Sequence, residues 1–187
     1  MAERINRFDI RKGTIYKFND ELLECVDVER IVPSLFTRGI GHIELVAKKI
    51  QKGVFVKQQL YPIDYIEAVI PEEQKMEFLY DDGESLCFMD TNTYDTSAVS
   101  NDKFKWEKNF LTTGMQVSCC VYSEEIIKVI LPDDVCLTIV SFDESDSSTP
   151  SKCAVCETGL KVNVPIFAHT GDQIIVSTSD GTYKGRA

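Results

Sequence analysis

The sequence predicts an all-β protein that consists of three consecutive small β-barrels. Short runs rich in β-branched and aliphatic residues follow one another along nearly all of the 187 residues, and tight turns of Gly, Asn and Asp separate them. Prolines mark the joints between three groups of runs, each about sixty residues long. With 43% hydrophobic residues, the chain can bury a core.

The first predicted domain spans residues 1–65. Its turns are Asn19-Asp20, a glycine-rich tip at residues 39–41, and Lys52-Gly53. Four or five short strands with tight turns are typical of a small barrel. The predicted strands are residues 14–18, 22–28, 42–47 and 54–57.

The second predicted domain spans residues 66–131, after a passage bracketed by Pro62 and Pro71. A hairpin is indicated where two apolar runs flank the turn Asp81-Asp82-Gly83. A short helix is expected over residues 101–110, with Asn101 or Asp102 as its cap. The predicted strands are residues 76–80, 85–90, 116–122 and 126–130.

The third predicted domain spans residues 132–187 and begins at Pro132. Residues 143–150 form an acidic, serine-rich stretch without core-forming residues, which is typical of a loop. A turn is expected at Asp180-Gly181, and no internal sequence repeat is visible. The predicted strands are residues 135–140, 160–167 and 173–177.

Arg38 stands out within the segment Pro33–His42, at the predicted tip between two strands. Gly39 and Gly41 allow the backbone to adopt positive φ there, and Thr37 precedes the arginine. Loop tips held by a rigid hairpin commonly carry functional groups. A solvated arginine in an ordinary hairpin remains the alternative on local evidence.

The net charge of −10 is distributed unevenly. Residues 1–65 carry 11 Lys and Arg against 9 Asp and Glu, a net +2, whereas residues 66–187 carry 9 against 21, a net −12. A polyanion could therefore bind the first domain, although a merely solvated basic face is the alternative. The candidate RNA or ribosome contacts in this domain are Lys48, Lys49, Lys52 and Lys57.

The seven cysteines lie mostly singly in apolar runs and are expected to be small, buried and reduced. Cys153 and Cys156 form one C-x-x-C pair, but structural zinc normally needs four ligands. A thiol redox protein would also require a thioredoxin-like βαβ pattern. We therefore expect neither a metal nor a redox role.

No catalytic constellation is visible, because the two histidines, His42 and His169, lie in different predicted domains. We expect no enzymatic activity and no cofactor. No apolar run reaches the ~20 residues that span a bilayer, and the first residues lack a hydrophobic signal region. The prediction is a soluble cytoplasmic protein, a monomer, without a membrane partner.

Several motifs in order along the chain resemble bacterial translation elongation factor P. In the second domain they are Tyr80-Asp81-Asp82-Gly83-Glu84 and Phe88-Met89-Asp90. In the third domain they are Glu157-Thr158-Gly159, residues 162–167, Gly171-Asp172 and Asp180-Gly181-Thr182-Tyr183. The resemblance covers nearly the whole chain, and its closing segment is the most specific part.

The resemblance implies an SH3-like KOW barrel followed by two OB-folds, in an L-shaped outline similar to a tRNA. It further implies a factor that binds the ribosome beside the peptidyl-tRNA, contacts ribosomal RNA and relieves stalling at consecutive prolines. Any catalysis would belong to the ribosome, and the factor would contribute positioning. The resemblance nominates Tyr183 and Arg186 as contacts in the third domain.

Arg38 falls where most members of this family carry a modified lysine. A guanidinium stays protonated and is a poor nucleophile, so lysine-type acylation is not expected. Some members with an arginine tip are glycosylated there with rhamnose by a modifying enzyme, whereas a divergent paralogue group uses an unmodified arginine; both alternatives stay open. The loop that reaches messenger RNA in the family corresponds to residues 143–150, whose acidic side chains would repel phosphate.

A general single-strand RNA-binding OB-fold protein is the alternative from another functional class. Such a protein needs aromatic stacking platforms along a basic groove. The net −12 of residues 66–187 argues against this alternative.

Overall fold

The computed structural model describes residues 2–6, 9–31, 41–61, 65–143 and 151–187. Their strands form three sheets, one of six strands and two of five. The all-β fold class predicted from the sequence is thus confirmed. None of the helices in these ranges is long and apolar enough to cross a bilayer.

The strands of the first sheet are β1 (Ala2–Asn6), β2 (Ile15–Phe18), β3 (Glu21–Ile31), β4 (His42–Lys49), β5 (Phe55–Leu60) and β6 (Tyr65–Val69). Their order in the sheet is β1-β6-β2-β3-β4-β5. Asn19 (φ 49°) and Asp20 (φ 61°) form the turn between β2 and β3, and both adopt the positive φ of a type I′ hairpin turn. The fully buried Tyr16 donates its hydroxyl hydrogen bond to Gln58 Oε1 at 2.6 Å, so its polar end is satisfied.

The first sheet continues past residue 65, because β6 pairs with both β1 and β2. Residues 120–128 belong to the same compact unit as residues 1–72. Cys120 and Ile127 are buried there against Ile15 and Val69. Division of the chain into domains at residues 65 and 131 stays a prediction.

The second and third sheets have the same connectivity, although the sequence shows no repeat. The second sheet comprises β7 (Glu72–Asp81), β8 (Ser85–Asp90), β9 (Thr96–Ser100), β10 (Gln116–Tyr122) and β11 (Glu125–Ile130). The third comprises β12 (Asp134–Asp143), β13 (Ser151–Cys156), β14 (Lys161–Pro165), β15 (Gln173–Ser177) and β16 (Tyr183–Arg186). The strand order is β9-β8-β7-β10-β11 in the second sheet and β14-β13-β12-β15-β16 in the third, so the first strand of each is central and the third and fifth lie at the edges.

The prediction of one helix over residues 101–110 is wrong. Two short 3₁₀ turns, Asn101–Lys103 and Glu107–Phe110, occupy this stretch. Phe104 interrupts them with φ −127° and ψ 43°, outside the helical region, and its side chain is buried. The cap is Ser100, whose hydroxyl accepts the backbone N–H of Asp102 at 3.4 Å.

The second of these 3₁₀ turns, Glu107–Phe110, packs against the core of the third sheet. Phe110 is 0% exposed and lies in the same core cluster as Leu137, Val164 and Val176 of that sheet. The ring of Trp106 meets Phe110 edge-to-face at 5.2 Å between centroids. The third-sheet core therefore includes a side chain from the segment between β9 and β10.

Two further contacts fix Trp106 in place. Its indole N–H donates to the carbonyl of Thr178 at 2.8 Å. Gly181, at φ +71°, lies under the ring, where an added Cβ would stand 3.4 Å from the nearest indole carbon. A larger residue at position 181 would thus be strained by its backbone, and its Cβ would be in van der Waals contact with Trp106.

Phe110→Ala should lower the free energy of unfolding by about 3–5 kcal/mol, because it empties a fully buried aromatic site. Phe167→Ala is the matched control, since this ring is 62% exposed, and it should change stability by less than about 0.5 kcal/mol. Denaturant unfolding followed by circular dichroism measures both. Equal effects of the two substitutions would contradict the anchoring role of Phe110.

Candidate functional site

The predicted tip lies between two strands that pair over most of their length. β3 and β4 are antiparallel, and their last pair is Ile31 with His42. Thr37, Arg38 and Gly39 fall outside the described residues, whereas Gly41 directly precedes β4. The structure therefore describes the base of this hairpin and leaves the tip itself a prediction.

Hydrogen bonds between β4 and β5 brace the base of the hairpin. Glu44 Oε1 accepts from Gln59 Nε2 at 2.9 Å and lies 3.4 Å from His42 Nε2. The Tyr61 hydroxyl donates to Gln59 Oε1 at 3.4 Å, and the rings of Tyr61 and His42 are 5.6 Å apart. None of these four side chains was nominated as a site residue from the sequence, because the predicted turn at Lys52-Gly53 does not fix the register that brings them together.

The outer face of β3, β4 and β5 carries charges of both signs. Alternate residues of β4 point inward and are buried, so the residues between them face outward. The outward rows, read from β3 to β5, are Glu24, Lys48 and Phe55; Asp27, Val46 and Lys57; and Glu29, Glu44 and Gln59. Every row contains at least one carboxylate, contributed mainly by β3.

The four lysines nominated from the sequence separate into two pairs. Lys48 and Lys57 share the outer face, and neither forms an ion pair with any described residue. Lys49 and Lys52 both bind Glu21, with Lys52 Nζ at 3.0 Å from its carboxylate. The hydrogen bond from Lys49, followed by that from Lys52, lowers the pKa of Glu21.

Tyr183 and Arg186 lie on β16, the last strand of the third sheet. Tyr183 is half-buried and packs against the sheet core. Arg186 Nη2 contacts Asp172 Oδ1 at 2.8 Å, so its charge is partly compensated within the chain. The acidic stretch predicted as a loop lies, at residues 144–150, outside the described residues.

Cys153 and Cys156 lie on β13 and point to opposite faces of the third sheet. Cys156 is buried in the core, whereas Cys153 is half-exposed. Three residues along a strand separate the two Cα atoms by about 10 Å, too far for a disulfide. All seven cysteines lie in the described ranges and none forms a disulfide; within those ranges, no group of three or more His, Cys, Asp or Glu is suited to a metal.

The prediction of small buried cysteines holds for five of the seven and is wrong for Cys136 and Cys153. Cys136 is exposed because it lies between the inward residues Val135 and Leu137 on β12. Burial and the nearby charge of Glu157 raise the pKa of Cys156 to about 11.

These exposures predict an order of thiol reactivity. In the native protein at pH 8, a chromogenic disulfide reagent should label Cys136 first, and it should label Cys156 only after unfolding, because that thiol is buried and protonated. Mass spectrometry of the labelled peptides identifies each site. Cys136→Ser should remove the fast phase, and native labelling of Cys156 as rapid as that of Cys136 would refute the assignment.

Comparison with known proteins supplies the family. A family model described as "Elongation factor P (EF-P) OB domain" matches residues 71–129, and one described as "Elongation factor P, C-terminal" matches residues 135–186. Elongation factor P of Mesomycoplasma hyopneumoniae strain 7448 is 34% identical over 186 residues, which cover 97% of this chain and 99% of that protein. The elongation factor P of Limosilactobacillus reuteri strain DSM 20016 is 30% identical over 98% of this chain and 100% of its own length.

A solved structure supports the fold. The "Eukaryotic translation initiation factor 5A from Methanococcus jannaschii" aligns with a TM-score of 0.52 at 20% identity, over 69% of this chain and 95% of its own. It agrees with the predicted order of an SH3-like KOW barrel and OB-folds. On the evidence of the two family models and the full-length relatives, this chain belongs to the elongation factor P family of translation factors.

Proposed function

We propose that this translation factor binds the ribosome beside the peptidyl-tRNA and promotes peptide-bond formation at stalled polyproline sequences, with Arg38 as its functional tip. The membership of the full chain in the elongation factor P family carries the proposal. The factor supplies no catalytic group of its own; it lowers the entropic part of the barrier by positioning the reactants. It acts as a cytoplasmic monomer.

The base of the β3–β4 hairpin supports the role of Arg38. An antiparallel pair that extends to Ile31 and His42, braced by Glu44 and Gln59, provides a rigid support for the residues that follow β3. A cation that must reach a distant RNA centre needs such a support, because each degree of freedom lost on binding reduces affinity. Whether Arg38 acts unmodified or glycosylated is decided by the intact mass of the native protein.

Single-strand RNA binding by the OB-folds is the second candidate. Lys161 lies on the outer side of β14, but its Nζ is held by Asp143 Oδ2 at 2.7 Å. Lys184 on β16 is likewise held by Asp134 at 2.6 Å. Cations neutralised in this way contribute less to phosphate binding, so the observations favour the ribosomal role.

Arg38→Ala should abolish relief of polyproline pausing while leaving the fold intact. The side chains that brace the hairpin base are other residues, so stability should change by no more than about 0.5 kcal/mol. The measurement is the rate of synthesis of a polyproline-containing peptide in a reconstituted translation system. Arg38→Lys keeps the positive charge and serves as the control, and full activity of the alanine variant would sink the proposal.

The first-domain lysines should differ in their contribution to ribosome binding. Lys48→Gln with Lys57→Gln should reduce the slope of log affinity against log salt by about one to two, since each phosphate contact releases condensed counterions. Lys49→Gln with Lys52→Gln is the matched control, and it should change the slope less because Glu21 already neutralises part of that charge. Tyr183 and Arg186 should contribute fewer and less salt-sensitive contacts. Ribosome-binding titrations at several potassium concentrations measure the slopes, and identical slopes for both double variants would show that the electrostatic contact lies elsewhere.

A further inference from the structure

A groove of about 490 Å³ lies between the second and third sheets, in a part of the chain that forms one compact unit. The apolar residues of its lining include Phe78, Leu86 and Leu111. Its rim carries the exposed ring of Tyr80, the ion pair of Asp81 with Lys108, and the polar residues Glu157 and Thr158. We call this feature the Tyr80–Glu157 groove. A concave site that combines apolar side chains with convergent polar groups is a common form of a binding site.

The Asp81–Lys108 pair is internally satisfied and leaves little for a ligand. The Asp81 carboxylate accepts hydrogen bonds from Lys108 Nζ at 2.5 Å, from Asn101 Nδ2 at 2.8 Å and from the backbone N–H of Gly83 at 2.8 Å. These donors, led by Lys108, lower the pKa of Asp81 to about 2. The charge of Lys108 is therefore balanced from within the chain.

Glu157 and Thr158, by contrast, retain unused hydrogen-bonding capacity. Glu157 Oε1 accepts the backbone N–H of Thr138 at 3.1 Å, and among the described residues no cation pairs with this carboxylate. Thr158 Oγ1 is buried and has no hydrogen-bond partner in the described part of the chain. A buried polar atom without a partner is costly and calls for an explanation. The Glu157 carboxylate can therefore accept further hydrogen bonds, and Thr158 lines the groove beside it.

The ring of Tyr80 is a third feature that a ligand of the groove must match. It is 55% exposed and stands opposite Cys87 across the β7–β8 pair. An exposed aromatic face beside an unpaired carboxylate attracts a cation that can lie flat on the ring. A guanidinium meets all three conditions, because it is planar, permanently charged and carries five N–H donors.

We propose that the Tyr80–Glu157 groove binds an arginine side chain presented by a partner protein, with the guanidinium on the Tyr80 ring and its N–H groups directed to Glu157 and Thr158. The partner is a basic polypeptide, because the net −12 of residues 66–187 attracts cationic chains and repels phosphate. The inference concerns a surface separate from the Arg38 tip and does not depend on the proposed function.

The test is a nuclear magnetic resonance titration of the full-length protein with three blocked tripeptides, acetyl-Gly-X-Gly-amide, in which X is arginine, lysine or citrulline. The arginine peptide should shift the backbone amides of Tyr80 and Thr158 saturably, the lysine peptide should bind more weakly, and the uncharged citrulline peptide should produce little shift. Equal binding of the citrulline peptide, or no saturable shift with the arginine peptide, would overturn the proposal.

Glu157→Gln keeps the oxygen that accepts the Thr138 N–H and removes the charge. It should weaken binding of the arginine peptide about fivefold, the difference between a charge-assisted and a neutral hydrogen bond. Glu73→Gln is the matched control, since it removes an exposed carboxylate from the same unit outside the groove. Equal loss of affinity in both variants would show that only the overall charge matters.

Tyr80→Leu should reduce the preference for arginine over lysine, because it replaces the aromatic face with an aliphatic surface. An unchanged preference would show that the ring is not part of the proposed site.

The last experiment is a titration with a single-stranded oligoribonucleotide. Shifts of the same amides on addition of that RNA would identify the groove as a nucleic-acid site and overturn the protein-partner proposal.

Discussion

The burial of Phe110 is the contact on which the arrangement of the second and third sheets depends. This ring comes from the segment that connects β9 to β10, yet it is part of the third-sheet core. Thr178 reinforces the contact from the other side, since it accepts from Trp106 and donates its hydroxyl to the carbonyl of Pro132 at 2.6 Å. Because a residue of the β9–β10 connection belongs to the third-sheet core, we expect the two sheets to unfold together rather than as independent domains.

The charged residues near the first sheet and near the third sheet favour ligands of opposite charge. On the first sheet, β3 places carboxylates beside Lys48 and Lys57, so this face offers separated cations within a mixed pattern. In the third sheet, Lys161 and Lys184 are balanced by neighbouring aspartates, whereas Glu157 is not balanced by any described cation. Within the acidic segment 66–187, Glu157 is therefore a carboxylate that no described cation of the chain neutralises.

Strands with strong apolar alternation could be predicted from the sequence, as Ser85–Asp90 and Val135–Val140 show. Ala2–Asn6, Thr96–Ser100 and Tyr183–Arg186 could not, because they are polar or rich in small residues and form strands only through pairing with their neighbours. The resemblance of ordered motifs gave the family, which the comparisons confirm.

The candidate site was less accessible to sequence reasoning. Lys48 and Lys49 are adjacent in sequence but face opposite sides of β4, where Lys48 is paired with Glu24 and Lys49 with Leu23. The register then shifts between Cys25 and Asp27, which the sequence does not show. The separation of Cys153 from Cys156 likewise required knowing that β13 is extended through both residues. The number of residues between two side chains shows whether they share a face only once the backbone conformation is known.

Trp106 is the chain's single tryptophan, and it is seated on Gly181 and against Phe110. The tryptophan fluorescence of the protein therefore arises from one indole, held at the contact between the β9–β10 segment and the third sheet. Emission from that indole reports the polarity and rigidity of this contact alone. The chain thus carries its own optical probe of whether its second and third sheets remain together.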